Sequence, residues 1–355
     1  MTVTTDSPVT TLTDAATAGR GRSADEIYAT GVRNQWYAVC PSGFVAPGAM
    51  RRITRLGVDW LLFRQANGKL HLLEDRCPHR GARLSLGKHL GDRVACWYHG
   101  VEVAGDGTVT SVPALPGCNL EGKQLVASPP VIETAGAVLA YFGDARHPAP
   151  AELTLPEPLT DEGTEAILCY AEWNVGWRYA LENVLDPMHG AFLHHDSHTM
   201  ADGDTQARFR IRETERGFFF EKTDQRGVNF DWVELCRTGV DWMDLTIPYP
   251  PSAGPGGHFG IVGMATPIDA DRCGVFFWRY RKVTGWQRDT WRFLYKTLIE
   301  ERHWNVLEQD RTMLEGLPRD ADQAENLYQH DLGVVRVRRM YRAEAEKQAA
   351  AQSGS

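Results

Sequence analysis

Two short stretches of this 355-residue chain carry side chains that could hold metal, Cys77-Pro78-His79-Arg80-Gly81 and Cys96-Trp97-Tyr98-His99-Gly100. Each brings one thiol and one imidazole into a tight loop, first as C-x-H and then as C-x-x-H. Two cysteines and two histidines suit a tetrahedral zinc ion, or a [2Fe–2S] centre in which two histidines replace two cysteines on one iron. The mixed make-up of each loop favours iron. Zinc knuckles usually pair Cys with Cys and His with His, whereas each loop here can give its Cys to one iron and its His to the other. Both loops run into glycine, as a backbone folding closely around a cluster needs.

A second constellation lies in Glu182-Asn183-Val184-Leu185-Asp186-Pro187-Met188-His189-Gly190-Ala191-Phe192-Leu193-His194-His195. Asp186 and His189 are three apart and share a helical face. His189 and His194 are five apart, about 140° round an ideal helix. They cannot both aim at one ion from an unbroken helix, so a break at Gly190 is expected. Two imidazoles and one carboxylate that leave coordination positions open form the facial triad of non-haem Fe(II) oxygenases. On spacing alone, polar residues lining a helix–helix contact remain the alternative.

The ordered pair of motifs, the Cys/His loops and then N-x-x-D-x-x-H-x4-H, resembles the Rieske non-haem iron ring-hydroxylating oxygenases of the phthalate and O-demethylase-like type. The resemblance covers residues 33–345. It implies an α+β protein in which an N-terminal antiparallel β domain holds the Rieske [2Fe–2S] cluster. A helix-grip-like catalytic domain with an antiparallel sheet and long helices follows. Cys77 and Cys96 would hold one cluster iron, and His79 and His99 the other. His189 and His194 would bind a mononuclear Fe(II). Asp186 would be a bridging acid, hydrogen-bonded to His189 and, across a subunit contact, to a cluster histidine, foremost His99; such a carboxylate fixes the imidazole's tautomer. Asn183 would sit near the iron as a weak neighbour. The third iron ligand would be a late carboxylate. Asp310, in Glu308-Gln309-Asp310-Arg311, is preferred over Glu308, Asp320 and Asp322. Val101 stands where the family often has an aromatic residue, a change expected to alter packing rather than ligation.

By the same resemblance the protein would be a terminal oxygenase. It would use O2 and electrons from a partner reductase, a ferredoxin or both. Its reaction would hydroxylate, cis-dihydroxylate or oxidatively demethylate a small organic, foremost aromatic, substrate. The working unit would be a homotrimer. The alternative is a Rieske electron-transfer or redox-sensing protein with a non-catalytic ligand-binding domain. No G-x-G-x-x-G follows a strand and no C-x4-C-x2-C occurs, so the reductase is expected on another polypeptide. Arg76, Arg80, Arg83, Lys88 and Arg93 surround the cluster loops and could steer an acidic donor.

The elements that must position these residues can be read from pattern. Residues 36–144 hold brief apolar runs punctuated by Asn67-Gly68 and Asp106-Gly107, both strong hairpin signals. A proline-rich stretch, His147 to Pro158, reads as a linker. Alternating runs such as Ala207–Arg212, Trp242–Ile247 and Gly274–Tyr280 read as half-buried strands. Gln287 to Leu317 reads as a long amphipathic helix with Trp291, Leu294, Leu298, Trp304 and Leu307 on one stripe. These give a tail over 1–30, a Rieske domain over 31–147, a linker over 148–160, a catalytic domain over 161–345 and a tail over 346–355, both tails expected disordered.

Composition bounds the rest. A net charge of −8 argues against nucleic-acid binding, which calls for a basic stripe. Seven cysteines are an odd number without framework spacing, so a disulfide scaffold is not expected. No apolar run approaches the length of a membrane span, and the first residues lack a signal-peptide core. A cytoplasmic protein without a membrane partner is the expectation.

Overall fold

Short apolar runs broken by glycine turns fold over residues 35–142 into antiparallel strands, in a computed structural model that describes residues 3–4, 22–143, 146–197, 200–248 and 256–353. Val131–Thr134, Ala137–Phe142 and Gln35–Pro41 form one three-stranded sheet. Met50–Arg55, Val58–Arg64 and Leu70–Glu74 form a second, and Lys88–His89, Arg93–Ala95, Glu102–Ala104 and Val109–Ser111 form a four-stranded third. The turns at Asn67-Gly68 and Asp106-Gly107 close hairpins as expected. One core contains Leu61, Phe63, Leu73, Val94, Val101 and Val103 together with Cys77 and Cys96. Both metal loops therefore rest on buried apolar surface, and Val101 belongs to that surface.

The protein divides into two compact units. Thr2–Leu153, Thr266–Ala270 and Ala345–Ser355 form the β unit, and Thr154–Ala265 with Asp271–Glu344 form the larger one. The N-terminal tail expected to be disordered lies largely outside the described residues. Its described end is instead helix α1, Ala24–Thr30, started by a capping box between Ser23 and Glu26. The C-terminal tail likewise differs from the expectation, because helix runs on to Ser353. Gln348 anchors it, accepting from Arg33 N–H and donating to Arg33 C=O at 2.9 and 3.0 Å.

The larger unit is built on a seven-stranded antiparallel sheet in the order Thr164–Trp173, Cys273–Lys282, His258–Pro267, Asp241–Pro248, Trp232–Arg237, Gly217–Lys222, Phe209–Thr214. The stretch from Trp173 to His195, expected to be mainly helical with a break or bend at Pro187 and at Gly190, holds two helices: α2, Trp177–Val184, and the short α3, His189–Leu193. Pro187 lies between them, where its missing N–H cannot serve a helix interior. After the last strand come α4, Trp286–Leu294, a π-helical turn at Tyr295–Ile299, α5, Glu300–Glu315, and then α6, Leu332–Ser353.

The π turn changes which residues are buried. The inward stripe is Trp291, Tyr295, Ile299, His303, Leu307 and Asp310, while Leu298 is 51% exposed. Four residues advance an α-helix by about 400°, so a row spaced by fours drifts off one face. The extra residue of a π turn reverses that drift. The expected stripe through Leu294 and Leu298 ignores this insertion, and the actual one carries Asp310 inward.

Candidate metal centres

The two cluster loops are built alike. In the first, Cys77 N–H donates to Ala82 C=O at 2.8 Å and Gly81 N–H to Cys77 C=O at 2.9 Å. In the second, Cys96 N–H donates to Val101 C=O at 2.8 Å and Gly100 N–H to Cys96 C=O at 2.9 Å. Gly81 and Gly100 sit at φ +73° and +71°, the left-handed region that glycine enters without a Cβ penalty. Buried Asp75 braces the first loop, accepting from the N–H and hydroxyl of Ser85 at 2.7 and 2.6 Å.

Each loop turns its thiol inward and its imidazole outward. Cys77 and Cys96 are 2% and 3% exposed, whereas His79 and His99 are exposed with ring centroids 4.7 Å apart. Burial, together with the neighbouring Cys96, pushes the Cys77 thiol up to about 11 against opposing backbone N–H groups. A metal is what would make it a thiolate at neutral pH. The four side chains do not gather round one point as zinc ligands would. Among the described residues the group of such ligands within 4.8 Å of one another is a different one. Thiol beside thiol and imidazole beside imidazole fits two irons with unlike ligand pairs.

That gathered group is His189, His194 and Asp310. Asp310 Oδ1 lies 3.5 Å from His189 Nε2 and 3.0 Å from His194 Nε2, and the two rings stand edge to face with centroids 5.1 Å apart. His194 is 1% and Asp310 6% exposed, and Asp310 Oδ1 has no hydrogen-bond partner among the described residues. A buried carboxylate oxygen without a partner is costly unless something else balances its charge. Burial pushes the Asp310 carboxyl up, but His189 and His194, when protonated, outweigh it and hold the group well below the usual carboxylate range.

Both imidazoles are held by the nitrogen that faces away from the carboxylate. His189 Nδ1–H donates to the backbone carbonyl of Asp186, and His194 Nδ1–H donates to Gln309 Oε1 at 2.8 Å. Each ring then keeps its Nε2 lone pair for the shared point. Two imidazole nitrogens and one carboxylate oxygen, with His194 and Asp310 buried, are a donor set that fits a non-haem iron.

The expected break at Gly190 is not there. Gly190 is helical, and the break lies before His189, so His189 opens α3 and His194 caps its end. Neither ligand candidate is in a helix interior, which is why a five-residue separation still brings the rings together. Gly190 has a different task. A Cβ there would lie 2.7 Å from Met200 Cε and 2.9 Å from the Phe230 ring, which stands edge-on to His189.

Asp186 is placed otherwise than its expected bond suggests. Its backbone oxygen, not its carboxylate, takes the His189 N–H; Oδ1 accepts from Met188 N–H at 3.0 Å, and Oδ2 stands 4.0 Å from His189 Nδ1. The carboxylate is 35% exposed. Asn183 lies in α2, and its backbone oxygen accepts from Asp186 N–H. The rival carboxylates lie elsewhere: Glu308 pairs with Arg311 at 3.2 Å, Asp322 with Arg178 at 2.7 Å, and Asp320 is exposed. In the basic collar, Arg93 is engaged by Glu102 and Asp92, whereas Arg76, Arg80 and Lys88 are exposed.

Residues that sequence reasoning missed surround the triad. Gln309 lies within the Glu308–Arg311 run, where nothing local gives it a role. Phe230 stands edge-on to His189, and its sequence neighbours Asn229 and Asp231 belong to a buried knot in which Lys222 Nζ lies 3.0 Å from Asn229 Oδ1 and 3.5 Å from Asp231 Oδ1. A lysine next to an aromatic strand run gives no sign in sequence that it will be buried.

Comparison with known proteins finds two family patterns on this chain. The Rieske [2Fe-2S] domain pattern matches residues 35–130, and the vanillate O-demethylase oxygenase C-terminal domain pattern matches residues 173–347. The chain belongs to the Rieske oxygenase family. Over 181 residues this Rieske protein is 34% identical to the terminal oxygenase component of carbazole 1,9a-dioxygenase from Metapseudomonas resinovorans, 49% of this chain and 45% of that one. It is 26% identical over 279 residues to the vanillate O-demethylase oxygenase subunit of a Pseudomonas strain, covering 69% and 75% of the two chains. The match with the carbazole relative thus spans under half of that protein's own length. The terminal oxygenase of carbazole 1,9a-dioxygenase from Nocardioides aromaticivorans superimposes with a TM-score of 0.69 at 21% identity, covering 92% of this chain and 98% of that one. This likeness establishes the shared α+β fold. No described helix is long and apolar enough to cross a membrane.

Proposed function

We propose that this Rieske oxygenase is a terminal oxygenase that oxidises a small aromatic or similar organic substrate with O2. The observation that carries the reading is the triad of His189 Nε2, His194 Nε2 and Asp310 Oδ1, whose buried carboxylate oxygen has no hydrogen-bond partner among the described residues. Cys77 and Cys96 would hold one cluster iron, His79 and His99 the other, and the triad the mononuclear Fe(II). When bound, the cluster supplies single electrons and the mononuclear iron activates O2 beside the substrate.

The protein's own residues do the rest. The Asp186 carbonyl and the Gln309 amide oxygen hold the two histidines by Nδ1–H, so that both Nε2 lone pairs face the ion. Asp310 brings the negative charge that offsets a divalent cation in a pocket of low dielectric. Phe230 stands edge-on to His189 and walls that side of the site.

Asp186 Oδ2, partly exposed and without a hydrogen bond among the described residues, is free to accept a proton donor from another copy of the protein. We assign it the bridge to an exposed cluster histidine, foremost His99, in a homotrimer. Asn183 would stand beside that bridge. The exposed Arg76, Arg80 and Lys88 would favour an acidic reductase or ferredoxin as donor. All seven cysteines are free, which suits a cytoplasmic location. The domain order given above is kept, with helix over Ala24–Thr30 and on to Ser353, and with Thr266–Ala270 and Ala345–Ser355 grouped with the β unit.

The test is turnover under 18O2 with a ferredoxin–reductase pair and a panel of aromatic acids and aryl methyl ethers. The expected result is 18O in a hydroxylated product, or formaldehyde release from an ether. Oxidation of the reduced cluster with every substrate left intact would favour the electron-transfer alternative.

A further inference from the structure

We infer that Gln309 is the positioning residue that decides which nitrogen His194 presents to the metal. The inference rests on reading His194 as an iron ligand and goes beyond that reading by assigning a role to a side chain outside the ligand set. A neutral imidazole carries its proton on one nitrogen and can bind metal only through the other. His194 is 1% exposed, so the protein itself must choose the tautomer. Gln309 Oε1 lies 2.8 Å from Nδ1, and the bond holds the proton there. The opposite nitrogen, Nε2, is 3.0 Å from Asp310 Oδ1.

The arrangement follows from helix geometry. Consecutive residues on a helix point about 100° apart. Gln309 and Asp310 therefore reach opposite edges of one imidazole ring from neighbouring positions on α5. One helix supplies both the carboxylate of the triad and the acceptor that orients its neighbour.

His189 is held differently. Its Nδ1–H goes to the backbone oxygen of Asp186, which no side-chain substitution removes. Among the described residues, His194 is the ligand candidate whose orientation depends on one replaceable side chain.

The test compares Gln309→Leu with Gln309→Glu in the full-length protein, by Fe(II) competition against a coloured chelator with the cluster oxidised. Cluster absorbance and thermal unfolding are followed alongside. Loss of an orienting partner weakens metal binding by about 10- to 100-fold. That loss is expected for Gln309→Leu, with the cluster spectrum and melting curve unchanged. Gln309→Glu keeps an oxygen acceptor and is expected to retain wild-type affinity. Wild-type affinity in Gln309→Leu would overturn the inference. So would equal losses in both variants, because those point to packing rather than to an acceptor. A wild-type protein that takes up no Fe(II) beyond its cluster would overturn the ligand reading itself, and the role of Gln309 with it.

Discussion

The two candidate metal sites are assembled in opposite ways. Each cluster loop closes on itself through the same two backbone bonds, and its imidazole stays exposed. The triad joins α3 to α5, with His194 and its acceptor 115 residues apart, and is nearly sealed. A locally closed loop needs only its ligands and its turn glycine. A site joined across the sequence also needs side chains that orient the ligands and packing that brings the helices together. The exposed site suits electrons arriving from outside, and the sealed one suits chemistry from which water must be kept.

The largest effects should separate the two sites outright. Asp310→Ala is expected to reduce turnover to background and release the mononuclear iron while visible absorbance of the cluster persists. Cys77→Ser is expected to do the reverse, bleaching the protein while one iron remains chelatable. If either variant emptied both sites, the two would not be independent constructions.

Next comes the link between them. Asp186→Asn keeps the backbone carbonyl that holds His189 but removes the charge, so both metals should stay bound while turnover falls by about 10- to 100-fold. Rapid-quench measurement of electron transfer from the reduced cluster would locate the loss. Unchanged transfer would end the bridging role.

Support for the sealed site is testable through stability. Lys222→Met leaves Asp231 buried without its cation, and breaking such a pair costs about 3–5 kcal/mol. Urea unfolding should register that loss, and the exposed cluster loops should keep their spectrum in the native baseline. A change below about 1 kcal/mol would mean that the knot is not buried as described.

The smallest effect is a pH dependence within the larger unit's sheet. Burial, opposed by the Tyr280 hydroxyl and aided by Glu234, pushes Asp244 up to about 7. The folded state then binds a proton that the unfolded state has released. Stability should fall as pH rises from about 4 to about 7 and level off above that. Asp244→Asn should flatten this slope and raise Tm at pH 8, with no effect on iron content. A slope retained in the variant would assign the titration to another group.

The contrast also explains what can be read from sequence. The cluster loops are legible because ligands, closing bonds and turn glycines all lie within a few residues. The hairpins at Asn67-Gly68 and Asp106-Gly107 are legible for the same reason. Two members of the triad, His189 and His194, are legible in their spacing behind Asp186, while Asp310 comes from family resemblance. Its inward direction depends on the π turn at Tyr295–Ile299, which no periodicity announces. Gly190 misleads because glycine can mark a break or a close approach, and only the positions of Met200 and Phe230 show that it is the second. Gln309 and Lys222 are invisible because polar residues usually face water, and only the tertiary fold buries their contacts. The helix at Ala24–Thr30 could have been found from Ser23 and Glu26, whose spacing is a capping box.

The central claim is that a single polypeptide holds a cluster and a separate mononuclear iron bound by Asp310. Its most direct test is iron and acid-labile sulfide per polypeptide, with a visible spectrum, for anaerobically purified wild type and Asp310→Ala. The account predicts about three irons and about two sulfides in a red-brown wild type that bleaches with dithionite. The variant should lose one iron and none of its colour. A colourless zinc protein, or a variant that keeps its third iron, would contradict it.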